Sequence, residues 1–498
     1  MQRPLISSTK PLSAIRTIVG ATASLPESEL AVINISGISQ SSNAVFAGDL
    51  FIALPGEKFH GAQFAADAIR SGAIAILSDE EGAAMITGVP VVISENPRRA
   101  AGLVSAWFYG EPMRDLYSVG VTGTNGKTTV TTLLHQIMQA TGRESGLIGT
   151  VEVRIGRDVL ASKRTTPESS DLQALSALMR ERHVRNLVMD VSSHAISLDR
   201  IRGAHFAVVG FTNLSQDHLD FHKSMEEYFL AKSKLFTFEY SDLAVINIDD
   251  AYGLRQAALT ELPVVALSRT SSKATWHFAS ITRNHVGASV AIRGSGGVLI
   301  EGKTTLHGGF NYDNLLMAVA IATESGIDPL DIAAILPELT GAAGRLEAVR
   351  LGQNFTALVD YAHSPDAIAR VLETAHEITE GNVIAVLGCG GDRDKSKRSL
   401  MGIALKEGAD IAIFTSDNPR GEKPEDILAQ MVVDIDVELP SALIIDRTTA
   451  IRTAVNHAQV GDVVIVLGKG HEKGQEIAGT VHEFDDCIEL ARAIEDRK

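Results

Sequence analysis

The feature that most constrains this chain is a series of short, almost unbroken apolar runs in its last third. FTALVD (355–360), NVIAVLG (382–388), IAIFT (411–415), ALIID (442–446) and VVIVLG (463–468) each have strand length. A strand with one wet face alternates apolar and polar residues. A strand apolar throughout must be covered on both faces, as in parallel sheets flanked by helices. Most of the intervening segments have helix length, so the spacing predicts an α/β fold with a parallel sheet. Polar residues follow directly at strand ends: Asp360, then residues 388–393, 417–420 and 468–472. Open α/β sheets bind ligands beyond those carboxyl ends, so the four clusters point to one site.

At 498 residues the chain has room for about three domains of roughly 150 residues each. Interruptions of the pattern at GEPMRDL (110–116) and near 338–344 divide it into blocks 1–111, 112–340 and 341–498. The first block holds β-like runs (VFAGDLFIAL, AIAILSD, VPVVIS) between Gly and Pro turns. The second opens on LYSVGV (116–121), a glycine-rich turn and a helical pattern through Met138. It continues with LVMDV (187–191), FAVVGF (206–211) and LAVINI (243–248).

Lys and Arg number 45 against 61 Asp and Glu, a net charge of −16. That balance lacks the basic footprint of a nucleic-acid binder, yet a few local cations suffice to hold an anionic small molecule. Two cysteines, Cys389 and Cys487, cannot build a disulfide framework or a four-thiolate zinc site. No apolar run reaches the length of a membrane span or of a signal peptide. The expectation is a cytoplasmic, monomeric, multidomain α/β enzyme.

The sharpest motif is VTGTNGKTT (121–129), between a strand and a helix. Gly123 and Gly126 let backbone N–H groups turn toward a phosphate. Lys127 would reach the β- and γ-phosphates, and Thr128 would place a hydroxyl on Mg²⁺. The helix start adds its positive dipole end. The spacing departs from the common phosphate-loop pattern, since Val121 stands five residues before Gly126. A plain glycine-rich turn is the alternative, and a nucleoside-triphosphate site is the better reading.

In FHKSMEEYFLAKSKLF (221–236), Ser224 and Glu227 form a capping box, which predicts a helix from Met225. Met225, Tyr228, Phe229, Lys232, Leu235 and Phe236 then share one face, while Lys234 points elsewhere. Lys232 therefore lies in an apolar stripe. Spacing alone favours a snorkelling lysine with a packed stem. The alternative is a buried, neutral amine able to add CO₂ and form a metal-binding carbamate. Nearby NLSQDHLDFH (213–222) offers His218 among acidic residues, and LVMDV puts Asp190 at a strand end. Oxygen-rich ligands of this kind suit Mg²⁺. A lone His is more often structural than a ligand.

Taken together these residues resemble the Mur ligase family, ATP-dependent amide ligases of bacterial cell-wall assembly, and within it the tripeptide-forming branch. The resemblance runs through GDLFIAL (48–54), GTNGKTT (123–129), TTPES (165–169), VSSHA (191–195), FTNLSQDHLDFH (211–222), GGFNYDN (308–314), GRLE (344–347), DYAHSPDA (360–367), GGDRDKSKR (390–398), DNPR (417–420) and GKGHE (468–472). It implies a small α/β uridine-nucleotide domain, a central P-loop-type ATPase domain with a mostly parallel sheet, and a C-terminal Rossmann-like α/β domain that binds an amino acid. Ser42, Thr165, Thr166, Ser192 and Arg200 match positions that hold the UDP-N-acetylmuramoyl-L-Ala-D-Glu substrate. Gly123, Thr124, Asn125, Gly126, Lys127, Thr128 and Thr129 match the ATP phosphate site, Asn311 and Asn314 its adenine side. Arg345 and Asp360 match residues that complete the ATP site. Lys232 aligns with a carbamylated lysine and His218 with a metal ligand, so the resemblance implies Mg²⁺ held by Thr128, Asp190, His218 and the Lys232 carbamate, with Lys127, His218 and Lys232 as catalytic groups. Two departures stand out. Asp190 replaces the usual Glu, which draws the carboxylate back and leaves room for a water, and Ser41–Asn43 replaces an Asp-Ser-Arg triplet.

The chemistry so implied is amide synthesis through an acyl phosphate. DNPR resembles the motif of members that add meso-2,6-diaminopimelate. Arg420 would grip the distal carboxylate, Arg393 another carboxylate and Glu472 an ammonium, with Asp417, Asn418, Pro419 and Gly468 completing the pocket. An Arg420 that merely caps a loop is the plain alternative. Addition of L-lysine or ornithine, folate polyglutamylation, and a non-catalytic nucleotide-binding module are the competing functions.

Overall fold

Strand Tyr117–Thr122 runs parallel to Asn186–Asp190 on one side and to Phe206–Phe211 on the other. This is the centre of a mixed, mostly parallel sheet. The computed structural model describes every residue except 1, 2, 6–8, 57, 285, 286, 434 and 498. The chain divides into two units, Met1–His277 with Leu316–Asp328, and Phe278–Leu315 with Pro329–Lys498.

In the first unit the central sheet continues through Ser145–Ile148 beyond Asn186–Asp190, and through Ser241–Asn247 and Val264–Ser268 beyond Phe206–Phe211. An antiparallel ribbon, Glu152–Ile155 with Asp158–Ala161, extends the Ser145–Ile148 edge. Because Asp190 pairs with Val121 and Phe211 with Thr122, three strands end side by side. Residues 123–126, 191–193 and 212–215 leave from that line.

The first unit also carries a small N-terminal sheet. Its strands Gly37–Ser39, Asp49–Ile52, Ala75–Ser78 and Val91–Ile93 are parallel neighbours, with Thr22–Ala23 antiparallel at the end. Helix Pro97–Tyr109 follows. Pro97 stands at its start, Asn96 caps the Arg99 N–H at 3.0 Å, and Gly110 ends it at φ 73°. Its buried Ala100, Ala101, Val104 and Phe108 pack with Ala174 and Ala177 of helix Ser169–Glu181. Burying a side chain such as Val104 or Phe108 contributes about 1.5–3 kcal/mol, so the N-terminal sheet and helix Ser169–Glu181 are held by one core.

In the second unit the strands Thr356–Asp360, Val463–Leu467, Val383–Cys389, Ile411–Ser416 and Ala442–Leu443 lie parallel in that order. Glu347–Ala348 adds an antiparallel edge. Alternate residues of one strand feed two cores. Ala385 and Leu387 join helices Pro365–Ile378, Lys397–Gly408 and Pro424–Met431, whereas Ile384 and Val386 join Arg447–His457 and Asp486–Asp496. Double coverage is what the unbroken apolar runs predict. ALIID is the partial exception. Only Ala442–Leu443 pairs as strand, because Asp446 is taken as the cap of the next helix, accepting from Thr449 N–H at 2.8 Å. The antiparallel pair Gly287–Arg293 with Leu299–Thr304 also belongs to this unit.

Candidate active site

The phosphate-type loop leaves its strand at Gly123, where φ is 149° and a Cβ would stand 1.9 Å from Thr212 Oγ1. Gly126, at φ 87°, opens helix Lys127–Ala140. Both positions need glycine, one for space and sign of φ, the other for φ. The neighbouring strand exit clamps the loop. Thr124 N–H donates to the Asn213 carbonyl at 2.9 Å, Asn125 N–H to Asn213 Oδ1 at 3.0 Å, and Thr212 Oγ1 to the Asn125 carbonyl at 2.6 Å. No side chain caps the helix start, so its positive dipole end faces the loop and favours an anion there.

Two lysines meet at this loop. Lys127 Nζ donates to the carbonyls of Gly123 and Thr124 at 3.0 and 2.9 Å. Lys232 Nζ donates to the same Gly123 carbonyl at 2.9 Å and lies 4.5 Å from the centre of the Tyr228 ring. Helix Met225–Ser233 begins where expected, with Ser224 Oγ accepting from Glu227 N–H at 3.1 Å. Its inner face carries Tyr228, Phe229 and Lys232, and Lys232 is only 1% exposed while Lys234 is exposed. A snorkelling lysine would reach solvent, and this one does not. Burial, then the Lys127 charge, hold its amine well below the ordinary lysine range, against a smaller opposite pull from Asp217.

Asp190, fully buried at the end of its strand, gathers hydroxyls. Thr128 and Thr131 of the loop helix each donate to it at 2.7 Å, and Thr150 Oγ1 at 3.2 Å. Thr128 thus reaches the carboxylate directly. With its hydrogen engaged by Asp190, the Thr128 oxygen keeps lone pairs for a hard cation, and this donor set fits Mg²⁺. Thr165 joins through Thr150 at 3.1 Å. Thr166 Oγ1 donates to the Asp190 carbonyl at 2.8 Å and accepts from Ser192 N–H at 3.0 Å. Arg200 lies 3.0 Å from Glu168. Ser42 opens a short turn in the N-terminal block, and Thr129 is buried in the first turn of the loop helix.

His218 adopts φ 54° and is half exposed, 3.5 Å from Asp217 and ring-to-ring with His194 at 4.8 Å. Among the described residues no three His, Cys, Asp or Glu side chains gather as a ready metal cage. A site built from Thr128, Asp190, His218 and Lys232 therefore depends on the lysine carrying a carboxylate.

In the second unit, Asn311 and Asn314 stand at the start of helix Gly309–Glu324. Both are buried, and Asn311 Nδ2 donates to the His307 carbonyl at 3.0 Å. Asp360 ends its strand, accepting the N–H groups of Leu346 and Ala362 at 2.8 Å each. Burial raises its carboxyl above the usual range against the pull of Arg345, whose guanidinium lies 4.8 Å from the Tyr361 ring centre.

The polar ends of the next strands converge. Asn418 Nδ2 donates to Glu472 at 2.9 Å, and Lys469 Nζ to Asn418 Oδ1 at 3.0 Å and Asp417 Oδ1 at 3.3 Å. Arg420 sits at φ 51°, its Nη1 donating to the Gly391 carbonyl at 2.6 Å and its Nε 3.4 Å from Glu476. A Cβ on Gly391 would strike the Pro419 carbonyl at 1.8 Å. Arg393 is exposed, and its Cγ lies 3.6 Å from where a Cβ on Gly390 would stand. Gly468 is buried.

Residues 34–106 match the family description "Mur ligase family, catalytic domain", residues 121–322 "Mur ligase middle domain", and residues 344–470 "Mur ligase, glutamate ligase domain". The chain is 44% identical over 501 aligned positions to a Streptomyces coelicolor protein named UDP-N-acetylmuramoyl-L-alanyl-D-glutamate–2,6-diaminopimelate ligase, covering 99% of this chain and 98% of that one. The chain belongs to the Mur ligase family. A Geobacillus kaustophilus protein of the same name is 41% identical over 474 positions, covering 93% and 96% of the two chains. A solved structure of a ligase of that name aligns with TM-score 0.72 and 32% identity over 98% of this chain and 99% of that one. The three sheets described above are thus the three-domain α/β architecture of an ATP-dependent Mur ligase. No helix among the described residues is long and apolar enough to cross a membrane.

Reasoning from sequence overlooked several polar groups in this Mur ligase. Asn213 and Lys469 lie within the motifs FTNLSQDHLDFH and GKGHE, but nothing local marks their roles. Thr131, Thr150 and Arg447 carry no local signal at all, since their partners stand on other strands.

Proposed function

We propose that this Mur ligase joins meso-2,6-diaminopimelate to the D-glutamate carboxylate of UDP-N-acetylmuramoyl-L-Ala-D-Glu, using ATP, in cytoplasmic peptidoglycan precursor synthesis. The likeness of nearly the whole chain to relatives bearing that ligase's name carries the reading. A folate substrate would leave the first block without a role.

We assign residues 1–111 to the uridine nucleotide, 112–340 to ATP and 341–498 to the amino acid. Ser42, Thr165, Thr166, Ser192 and Arg200 hold the muramoyl dipeptide. Residues 123–129, Asn311, Asn314, Arg345 and Asp360 serve ATP. Arg393, Asp417, Asn418, Pro419, Arg420, Gly468 and Glu472 serve the amino acid.

In the first step a D-glutamate carboxylate oxygen attacks the γ-phosphorus, the bond to the bridging oxygen breaks, and ADP leaves. In the second the amine attacks the acyl carbon, phosphate departs and a proton is released. Two anions must approach in the first step, so preorganised positive charge lowers the barrier most. Lys127 and the uncapped helix start supply it. Thr128, Asp190, His218 and Lys232 as its carbamate are assigned to Mg²⁺, which when bound neutralises phosphate charge. The depressed basicity of Lys232 supports carbamate formation, because only the neutral amine has the lone pair that bonds CO₂.

Arg420 is assigned to the distal carboxylate, which L-lysine lacks. The test is phosphate release with ATP, the muramoyl dipeptide and each amino acid in turn. Release with meso-diaminopimelate alone supports the proposal. Release with L-lysine and not the diacid overturns the specificity, and release with neither overturns the ligase reading.

A further inference from the structure

Two fully buried cations link the same pair of strand exits. Arg447, in the first turn of helix Arg447–His457, forms a two-pronged ion pair with Asp486, both side chains at 0% exposure. Its remaining donors reach the Leu467 carbonyl at 2.9 Å and the Ser416 carbonyl at 3.3 Å. Those are the last residues of strands Val463–Leu467 and Ile411–Ser416, which are not neighbours, because Val383–Cys389 lies between them. No backbone ladder joins these two ends, and the guanidinium does. Lys469, also at 0% exposure, then joins the loops just beyond. Its Nζ donates to Asp417 and Asn418 and lies 3.5 Å from Glu472.

Resting on the function proposed above, we infer that Lys469 is a positioning residue for the incoming amino acid, backed by Arg447 at the strand ends, and that the two set the spacing of residues 417–420 and 468–472. Neither cation has exposure through which to bind the substrate. A recognition site made from two loops needs their separation held closely, since a shift of about 1 Å can cost on the order of 10²-fold.

The experiment compares Lys469→Met, Lys469→Arg and Arg447→Lys in the full chain. Lys469→Met keeps the stem and drops the charge. Expected is a rise of about ten-fold or more in KM for meso-diaminopimelate, with KM for ATP and the muramoyl dipeptide within about two-fold. Lys469→Arg should recover part of the loss, and Arg447→Lys should shift the same KM by a smaller factor. Hydrogen exchange of intact protein should show both loops opening together in Lys469→Met, faster by about ten-fold, with residues 123–129 unchanged. An equal rise in all three KM values, or an unchanged amino-acid KM with unchanged loop exchange, overturns the inference. If Lys469→Met fails to fold, Arg447→Lys decides by the same two criteria. Wild-type protein inactive with meso-diaminopimelate overturns the proposed acceptor instead, and coupled loop opening in the variant still upholds the positioning role.

Discussion

Lys127 and Lys232 donate to one acceptor, the Gly123 carbonyl, at 3.0 and 2.9 Å. Two ammonium groups sharing a carbonyl repel each other, and the more buried one gives up its proton more easily. Lys232 is that one. Burial and the neighbouring Lys127 charge thus push the Lys232 amine toward its neutral form, the form that the proposed carbamate requires.

Lys232→Ala should lower kcat by about 10²-fold or more, and a short carboxylate added to the assay should restore part of it. Phosphate release with and without the carboxylate is the measurement. Full activity of the unassisted variant would overturn the assignment of Lys232 to the proposed Mg²⁺ site.

Gly123→Ala forces a methyl against Thr212 Oγ1 at 1.9 Å and onto a backbone at φ 149°. The clash falls on the hydroxyl that holds the Asn125 carbonyl, so the loop must shift. KM for ATP should rise by about ten-fold or more, while KM for the amino acid stays near wild type. Equal changes in both would locate the damage elsewhere.

Asp190→Asn replaces one acceptor oxygen by a donor facing threonine hydroxyls. One of the hydroxyl hydrogens that Asp190 accepts, from Thr128 or from Thr131, loses its partner, and the Mg²⁺ concentration for half-maximal rate should rise by about 10–100-fold. A magnesium titration of both proteins checks this. An unchanged requirement would mean that Asp190 only ties the fold.

Arg420→Ala should raise KM for meso-diaminopimelate by about 10²-fold or more, as expected when a partly buried partner for a substrate charge is lost. KM for ATP should barely move. Parallel rises would make Arg420 a loop brace, a role its bond to Gly391 would also serve.

His135, buried and hydrogen-bonded to Ser145 Oγ at 2.8 Å, is pushed down to about 4 by burial and then by Arg154. The unfolded chain takes up its proton near pH 6.5, the folded chain only near 4. Its contribution is therefore whole above about pH 6.5 and is lost as pH falls to about 4, on the order of 2–3 kcal/mol. His135→Gln, which does not titrate, should lose less stability between pH 7 and 4.5 in denaturant unfolding. Identical pH slopes would contradict the buried neutral imidazole.

Local rules made much of this protein legible. An apolar run such as VVIVLG has only one stable setting, a strand covered on both faces. The glycines at 123 and 126 mark a loop because no other residue takes those backbone angles cheaply. Helical periodicity put Lys232 on the apolar face, since that period depends on near neighbours alone. ALIID misled for the same local reason, as Asp446 left the strand to cap a helix. What the periodicity could not decide was where the Lys232 stem ends. That depends on Gly123, 109 residues away, and so on the order of strands in the sheet. The same holds for Asp190 with Thr131 and Thr150, and for Lys469 with Asp417 and Asn418. Sequence spacing determines which face of an element a side chain takes. Only the packing of non-consecutive strands decides which charges meet at their ends, and burial there decides which of them keeps its proton.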